Sequence, residues 1–120
     1  MTDNTGGVIA HYDVDNLPAK VTKAIAAQKG GLSGLTVQDL APVDGFHIRG
    51  RKATAELSER LEIHPTDKVL DVGGGPGGTA RYLSDRFGCS VVGLDLTAAY
   101  VHLASKLSAL LGMSLKNAFV

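Results

Sequence analysis

The chain has 120 residues, with 12 basic and 12 acidic side chains and no formal net charge at pH 7. This length suffices for one domain, and the balanced charge lacks the basic face that a polyanion requires, so we expect no nucleic-acid partner. The apolar runs are too short to span a bilayer, and the N-terminus lacks the pattern of a signal peptide. We therefore expect no membrane contact. A single cysteine, Cys89, excludes an intrachain disulfide and fits a reducing cytoplasmic location.

Three helical segments are predicted in the first half of the chain. Residues Pro18 to Lys29 have an apolar face and precede two glycines, which stop a helix. Thr36 and Asp39 have the spacing of a capping pair, which predicts one short turn that ends before Pro42. The longest of the three helices is expected over Arg51–Ile63. Its buried face is predicted to consist of Thr54, Leu57 and Leu61.

The second half alternates short apolar runs with helical patterns. The run Val69–Val72 predicts a buried parallel strand, and Thr79–Phe87 predicts a helix that ends at Gly88. A second strand is expected over Ser90–Leu94, and a third begins at Asn117. The helix between them, Ala98 to Leu111, has an apolar face wider than one neighbour covers, so we expect a further sheet or a partner chain against it. Its inward residues are predicted to be Leu103, Leu107, Leu110 and Leu111.

Five glycines and a proline fill residues 73–78, between the first predicted strand and the following helix. An ordinary turn needs one or two glycines, so five indicate a backbone that lies against a ligand. A loop at this place presents free N–H groups and the positive end of the helix. Asp95 follows Gly73 by roughly 20 residues and ends the second strand, where a carboxylate accepts the hydroxyls of a ribose. The pattern therefore predicts a nucleoside site in a βαβ unit.

Two ligand classes fit this unit. Gly73, Gly75 and Gly78 match the dinucleotide fingerprint, which would indicate an NAD(P)-binding domain of an oxidoreductase. Asp71, by contrast, is a carboxylate inside the strand, which is costly unless a cation or several donors meet it. Asp71, Gly73, Gly75 and Gly77 together resemble motif I of the class I methyltransferases that use S-adenosylmethionine (SAM). SAM brings an ammonium group to this region whereas a pyrophosphate would be repelled, so we favour SAM.

The resemblance extends to both sides of this motif, over roughly residues 8–112 of the chain. The run from Val91 to Thr97 resembles motif II of the same family. Residues 40–54 resemble the entry segment of a small-molecule branch, near the sarcosine/dimethylglycine-type (type 11) enzymes. In that segment Phe46, His47, Gly50 and Arg51 match the family pattern, whereas Arg49 stands where a first glycine is usual.

The resemblance implies a Rossmann-like α/β fold and direct transfer of the SAM methyl group to a small-molecule acceptor. It implies that Asp71 meets the ammonium group, that the glycine backbone approaches the methionine and ribose, and that Asp95 and Leu96 contact the ribose and adenine. Gly50 and Arg51 are expected near the carboxylate. No general base is identified, and His47 is a weak candidate for a catalytic role. The chain has three further histidines, His11, His64 and His102. None of the four histidines has the spacing of metal ligands, so no metal site is expected.

A complete fold of this family has seven strands, whereas this chain provides at most three. We therefore expect an incomplete fold, with residues 1–50 as an N-terminal entry segment and residues 51–120 as the first part of the SAM-binding domain. We expect self-association to complete the sheet in a homo-oligomer, with segment exchange as one route. An alternative function is a truncated module that binds SAM or assembles without catalysis.

Overall fold

The computed structural model describes residues 16–44 and 50–120 of the chain. Its helices are α1 (Leu17–Lys29), α2 (Ala41–Asp44), α3 (Gly50–Glu59), α4 (Gly78–Phe87) and α5 (Ala98–Leu110). A 3-10 turn (Val37–Leu40) precedes α2, and the strands are β1 (Lys68–Val72), β2 (Ser90–Leu94) and β3 (Asn117–Phe119). Within these two ranges no helix is long and apolar enough to cross a membrane.

The three strands form one parallel sheet in the order β1-β2-β3. Because α4 connects β1 to β2 and α5 connects β2 to β3, the predicted βαβ unit is confirmed and a second one follows it. The register places Asp71, Gly93 and Phe119 in one row across the sheet. Residues paired in this way point to the same face of the sheet, and this row lies directly below the glycine-rich loop.

Only one face of the sheet is covered by the described helices. A core of Ala80, Leu83, Cys89 and Val91 joins α4 to that face. On the opposite face Leu70, Val72 and Val92 are exposed, and the exposed fraction of Val72 is 75%. The prediction that the first strand is buried is therefore wrong, because in the described part β1 is an edge strand with one uncovered face.

The broad apolar face of α5 is covered from within the chain. Ile25 of α1 and Leu40 of the 3-10 turn form a second buried core with Leu103 and Leu107 of α5. The predicted inward face of α5 is thus confirmed, with Leu110 and Leu111 partly buried against the same core. The inference that this face needs another sheet or chain is wrong, because α1 occupies it.

Helix α3 departs from its prediction in length and orientation. It ends at Glu59 rather than at Ile63, because the N–H groups of Arg60 and Leu61 bond to carbonyls three residues back and tighten the last turn. Ser58 is its buried residue. The predicted buried positions Leu57 and Leu61 are exposed instead, since they line an open cavity between this segment and α4.

The predicted cap at Thr36 is present, but the chain does not leave the helical conformation before Pro42. The carboxylate of Asp39 accepts hydrogen bonds from the N–H and the hydroxyl of Thr36, at 2.8 and 2.9 Å. Helix α2 then contains Pro42 as its second residue. A proline is compatible with this position because N–H groups in a first helical turn need no intrahelical partner.

Candidate cofactor site

The glycine-rich loop after β1 turns sharply at alternate residues. Gly73, Gly75 and Gly77 have φ angles of 72, 54 and 86°, a left-handed conformation that glycine adopts without the steric cost of a Cβ. The N–H of Gly77 donates to the carbonyl of Gly74 at 3.1 Å, and the N–H of Gly74 donates to the carbonyl of Leu94 at 2.8 Å. These bonds fold the loop back over the end of β2. Glycine occurs at alternate positions because this path requires a left-handed backbone there.

The three left-handed glycines face different surroundings. A Cβ on Gly73 or Gly75 would meet no atom of the described residues within 4 Å, so in this part of the chain these positions are open to a ligand. A Cβ on Gly77 would lie 2.8 Å from the Phe119 ring and 2.8 Å from the Arg81 guanidinium. The sequence predicted that all three glycines face the ligand. The structure instead places Gly77 so that an added Cβ would point into the protein interior.

Asp95 joins the loop to the start of α5. Its Oδ2 accepts a hydrogen bond from the N–H of Gly75 at 2.8 Å, and its Oδ1 accepts one from the N–H of Thr97 at 2.9 Å. A carboxylate has about four acceptor positions, so two such bonds leave capacity for two hydroxyl groups of a ligand. The structure therefore brings Asp95 and the glycine loop together, as the motif spacing predicted.

Asp71 lies beneath the loop and, unlike Asp95, has a carboxylate oxygen without a hydrogen-bond donor among the described residues. Its Oδ2 lies 3.2 Å from the place of a Cβ on Gly74, is buried, and accepts no hydrogen bond within the described residues. Burial raises the pKa of the Asp71 carboxyl above its ordinary value of 3.8, and the negative charge of Asp95 raises it further. A buried carboxylate in this state is stabilised by a cation, so the site fits a ligand with an ammonium group.

The remaining surroundings of the loop fit the other parts of such a ligand. Helix α4 begins with Gly77 as its N-cap and has no acidic residue in its first turn, so its positive end is available to a carboxylate. Leu96 follows Asp95 directly and is 67% exposed, which offers an apolar surface beside a ribose position. The residues present thus fit SAM at its ammonium, carboxylate, ribose and adenine groups.

The predicted residues of the entry segment are only partly described. Gly50 begins α3 with a φ of 55°, and the guanidinium carbon of Arg51 lies 5.5 Å from the centre of the Tyr82 ring. This cation–π contact places Arg51 against α4. His47, together with Phe46 and Arg49, lies outside the described residues. The roles of Gly50, Arg51 and His47 at the methionine end therefore stay predictions.

Sequence reasoning missed Phe119 as part of this site. Its ring fills the space beside both Gly77 and Gly93. An isolated glycine inside an apolar strand indicates close approach by another group, and Gly93 in the middle of β2 is such a signal. The identity of the approaching group was not predictable, because it depends on the register of β2 and β3.

Comparisons with known proteins agree with this geometry. A family model described as a methyltransferase domain matches residues 69–118. The chain is 39% identical over 64 residues to the sarcosine/dimethylglycine N-methyltransferase of Halorhodospira halochloris, covering 53% of this chain and 22% of that protein. It is 44% identical over 55 residues to phosphoethanolamine N-methyltransferase 1 of Zea mays, covering 45% of this chain and 11% of that protein. The chain thus spans about a tenth to a fifth of the length of these relatives.

Solved structures give the same result for the fold. The geranyl diphosphate C-methyltransferase of Streptomyces coelicolor A3(2), crystallised with S-adenosyl-L-homocysteine, superposes with a TM-score of 0.57 at 25% identity over 59% of this chain and 27% of that one. A geranyl diphosphate methyltransferase in complex with SAM gives a TM-score of 0.57 at 28% identity, covering 59% of this chain and 29% of that one. Over these regions the chain is thus similar in sequence and fold to SAM-dependent methyltransferases, and its three-stranded parallel sheet corresponds to part of their Rossmann-like fold.

Proposed function

We propose that the glycine loop and Asp95 of this chain bind SAM, and that the domain to which the chain contributes transfers a methyl group to a small molecule. The observation that supports this most is the hydrogen bond from the Gly75 N–H to the Asp95 carboxylate. This bond joins the glycine-rich loop to the end of β2, so that both motifs lie side by side. The relatives are methyltransferases named for phosphoethanolamine, sarcosine and dimethylglycine, which supports a small-molecule acceptor.

Each part of the proposed cofactor contact has a basis in the described residues. Asp95 accepts the ribose hydroxyls, and the exposed side chain of Leu96 contacts the adenine. The half-buried carboxylate of Asp71, whose Oδ2 has no hydrogen-bond partner among the described residues, attracts the ammonium group. The backbone at Gly73 and Gly75 approaches the ligand closely because no side chain intervenes. SAM itself supplies an activated methyl group on its sulfonium, so the chain's contribution is mainly to position the cofactor and exclude water.

Several finer assignments belong to the same proposal. We assign residues 1–50 to an entry segment and residues 51–120 to the first part of the SAM-binding domain. Gly50 and Arg51 are proposed to act near the carboxylate end, and His47 is a weak candidate for a catalytic role. The single cysteine, Cys89, is buried and free, which supports a reducing compartment such as the cytosol.

We also propose that the uncovered sheet face mediates self-association. The exposed side chains of Leu70, Val72 and Val92 form an apolar surface next to the free edge of β1, and such surfaces are typical of protein interfaces. Light scattering tests this, because a monomer has a mass of 12.5 kDa. We expect a larger mass that Leu70→Lys reduces and that Leu115→Lys, at a 98% exposed position, leaves unchanged. A wild-type mass of one chain would contradict the proposal.

A second candidate function is SAM binding without catalysis. The observation that favours it is that the contacts argued above, from Asp71, the glycine loop and Asp95, are all to the cofactor, and no described residue is assigned to a methyl acceptor. Calorimetric titration with S-adenosylhomocysteine and with NAD tests the binding shared by both candidates. We expect binding of S-adenosylhomocysteine alone. Binding of NAD, or of neither ligand, would contradict the proposal.

A further inference from the structure

We propose that Phe119 is a positioning residue for the cofactor loop: its ring supports the Gly77 end of the loop so that Gly73 and Gly75 face the cofactor. The inference extends the proposed SAM site and rests on it for its functional consequence. The support of the loop by the Phe119 ring is independent of any ligand, because it involves only residues that the structure describes.

The register of the sheet explains how the ring reaches the loop. Asp71, Gly93 and Phe119 are neighbours in one row across β1, β2 and β3. Because Gly93 has no side chain, the Phe119 ring extends over it, and a Cβ on Gly93 would lie 2.7 Å from Cδ1 of the ring. The same ring reaches the loop, since a Cβ on Gly77 would lie 2.8 Å from its Cε1 and Cζ. One side chain thus occupies the space left by two glycines.

The loop therefore rests on two side chains of the same row. The Asp71 carboxylate lies below Gly74, and the Phe119 ring lies below Gly77. Between these supports, the loop is fixed by the hydrogen bonds from Gly74 to Leu94 and from Gly75 to Asp95. Helix α4 continues from the supported end, where the N–H of Arg81 donates to the Gly77 carbonyl at 3.0 Å. Loss of the ring would free the end of the loop that sets the start of α4.

A purely structural role is the alternative, and the chain provides a matched control for it. Phe87, at the last residue of α4, packs against the same core of Ala80, Leu83, Cys89 and Val91 as Phe119 does. Phe87 lies at the end of α4 opposite to the loop. The changes Phe119→Leu and Phe87→Leu therefore remove the same atoms from the same core, at positions near to and far from the cofactor loop.

Amide hydrogen exchange of Gly74 and Gly75, measured on the full chain without ligand, tests the support of the loop. Both variants are expected to lower the melting temperature, whereas only Phe119→Leu should speed exchange of these two amides, by roughly tenfold or more, because it permits local opening. Equal exchange of the loop amides in the two variants would overturn the proposal. This measurement needs no cofactor, so it decides the role of Phe119 even if the chain fails to bind S-adenosylhomocysteine.

The functional consequence has its own measurement. If the wild-type chain binds S-adenosylhomocysteine, Phe119→Leu should weaken this binding at least about fivefold more than Phe87→Leu does, since the backbone at Gly73 and Gly75 is then less well positioned for the ligand. Equal affinities of the two variants would contradict a positioning role. Absence of binding by the wild type would contradict the proposed function and leave the exchange result to stand by itself.

A compensation test addresses the contact itself. Gly93 lies outside the left-handed region, so Gly93→Ala adds a methyl group without backbone strain and forces it against the ring. We expect Gly93→Ala to speed exchange at Gly74 and Gly75 and to lower stability. Adding Phe119→Leu should restore part of both, because the smaller side chain makes room for the methyl group. Strictly additive effects of the two changes would show that the ring and Gly93 are not in contact.

Discussion

The two carboxylates at the ends of β1 and β2 differ in how the protein satisfies them. Both oxygens of Asp95 accept hydrogen bonds from backbone N–H groups, at 2.8 and 2.9 Å. Oδ2 of Asp71, by contrast, is buried without a hydrogen bond in the described part of the chain. Asp95 is thus already used by the fold and has spare acceptor capacity, whereas Oδ2 of Asp71 has no partner among the described residues. The difference suggests that Asp95 organises the site and that Asp71 selects a cationic ligand.

The largest effect is expected from Asp95→Ala. It removes the acceptor of the Gly75 N–H together with the proposed acceptor of the ribose hydroxyls. Hydrogen bonds to charged groups contribute about 1.5–3 kcal/mol each, so affinity for S-adenosylhomocysteine should fall roughly 100-fold. The melting temperature should fall as well, because the loop loses its bond to β2. Calorimetry and thermal unfolding measure the two effects. Asp85→Ala, at an exposed position of α4, is the control, and an Asp95→Ala variant with wild-type affinity would refute the assignment.

Asp71→Asn is expected to lower affinity for the ligand without lowering the stability of the ligand-free chain. Removing a buried charge should raise the melting temperature of the ligand-free chain or leave it unchanged. Affinity for S-adenosylhomocysteine should fall about tenfold, since the ammonium loses its charged partner. Thermal unfolding and calorimetry on the same sample separate the two effects. A less stable variant with unchanged affinity would mean that Asp71 has a structural role alone.

The raised pKa of Asp71 predicts a pH dependence that Asp71→Asn should abolish. The native state binds this proton more tightly than the unfolded chain does, because burial and Asp95 disfavour the ionised form. The resulting stability is greatest below the ordinary pKa of 3.8 and is lost as the pH rises through the raised value. A cationic ligand should release the proton, so its affinity should rise over the same range. Calorimetry in buffers of different ionisation enthalpy measures this proton release, and no release at any pH would contradict it.

The smallest effect concerns Asp39, a partly exposed carboxylate whose pKa is lowered rather than raised. The Thr36 N–H lowers the pKa of Asp39 to about 2, and the ammonium of Lys29 and the Thr36 hydroxyl add to this effect. Its contribution to stability is therefore present above 3.8 and lost as the pH falls through about 2. We expect a shallow acid dependence of the melting temperature that Asp39→Asn reduces. A steeper dependence in the variant would show that another group dominates this range.

The elements that are fixed by local sequence were predictable. The alternation of strands and helices around residues 68–110, the glycine stop at Gly88 and the approach of Asp95 to the glycine loop all follow from patterns within about 25 residues. Packing across the sheet was not predictable in this way. The contact of Phe119 with Gly77 depends on the register of β3, and the two hydrogen bonds of Asp95 depend on the exact path of the loop.

Burial was the property that the apolar pattern predicted least well. Leu57 and Leu61 of the α3 segment, like Leu70 and Val72 of β1, have the spacing of buried residues yet are exposed. Periodicity identifies the apolar face of an element but not whether the same chain supplies its cover. The broad face of α5 shows the reverse case, because α1 covers it from a distant part of the sequence.

The most direct test of the central claim is the location of ligand binding, measured by the shifts of backbone amide NMR signals on titration with S-adenosylhomocysteine. We expect the largest shifts at Gly73, Gly75 and Leu96, which surround the open side of the loop and the end of β2. Gln38 and Leu115, on exposed segments elsewhere, should not move. Shifts confined to such distant segments, or no shifts at saturating ligand, would contradict the assignment of this loop and of Asp95 as the cofactor site.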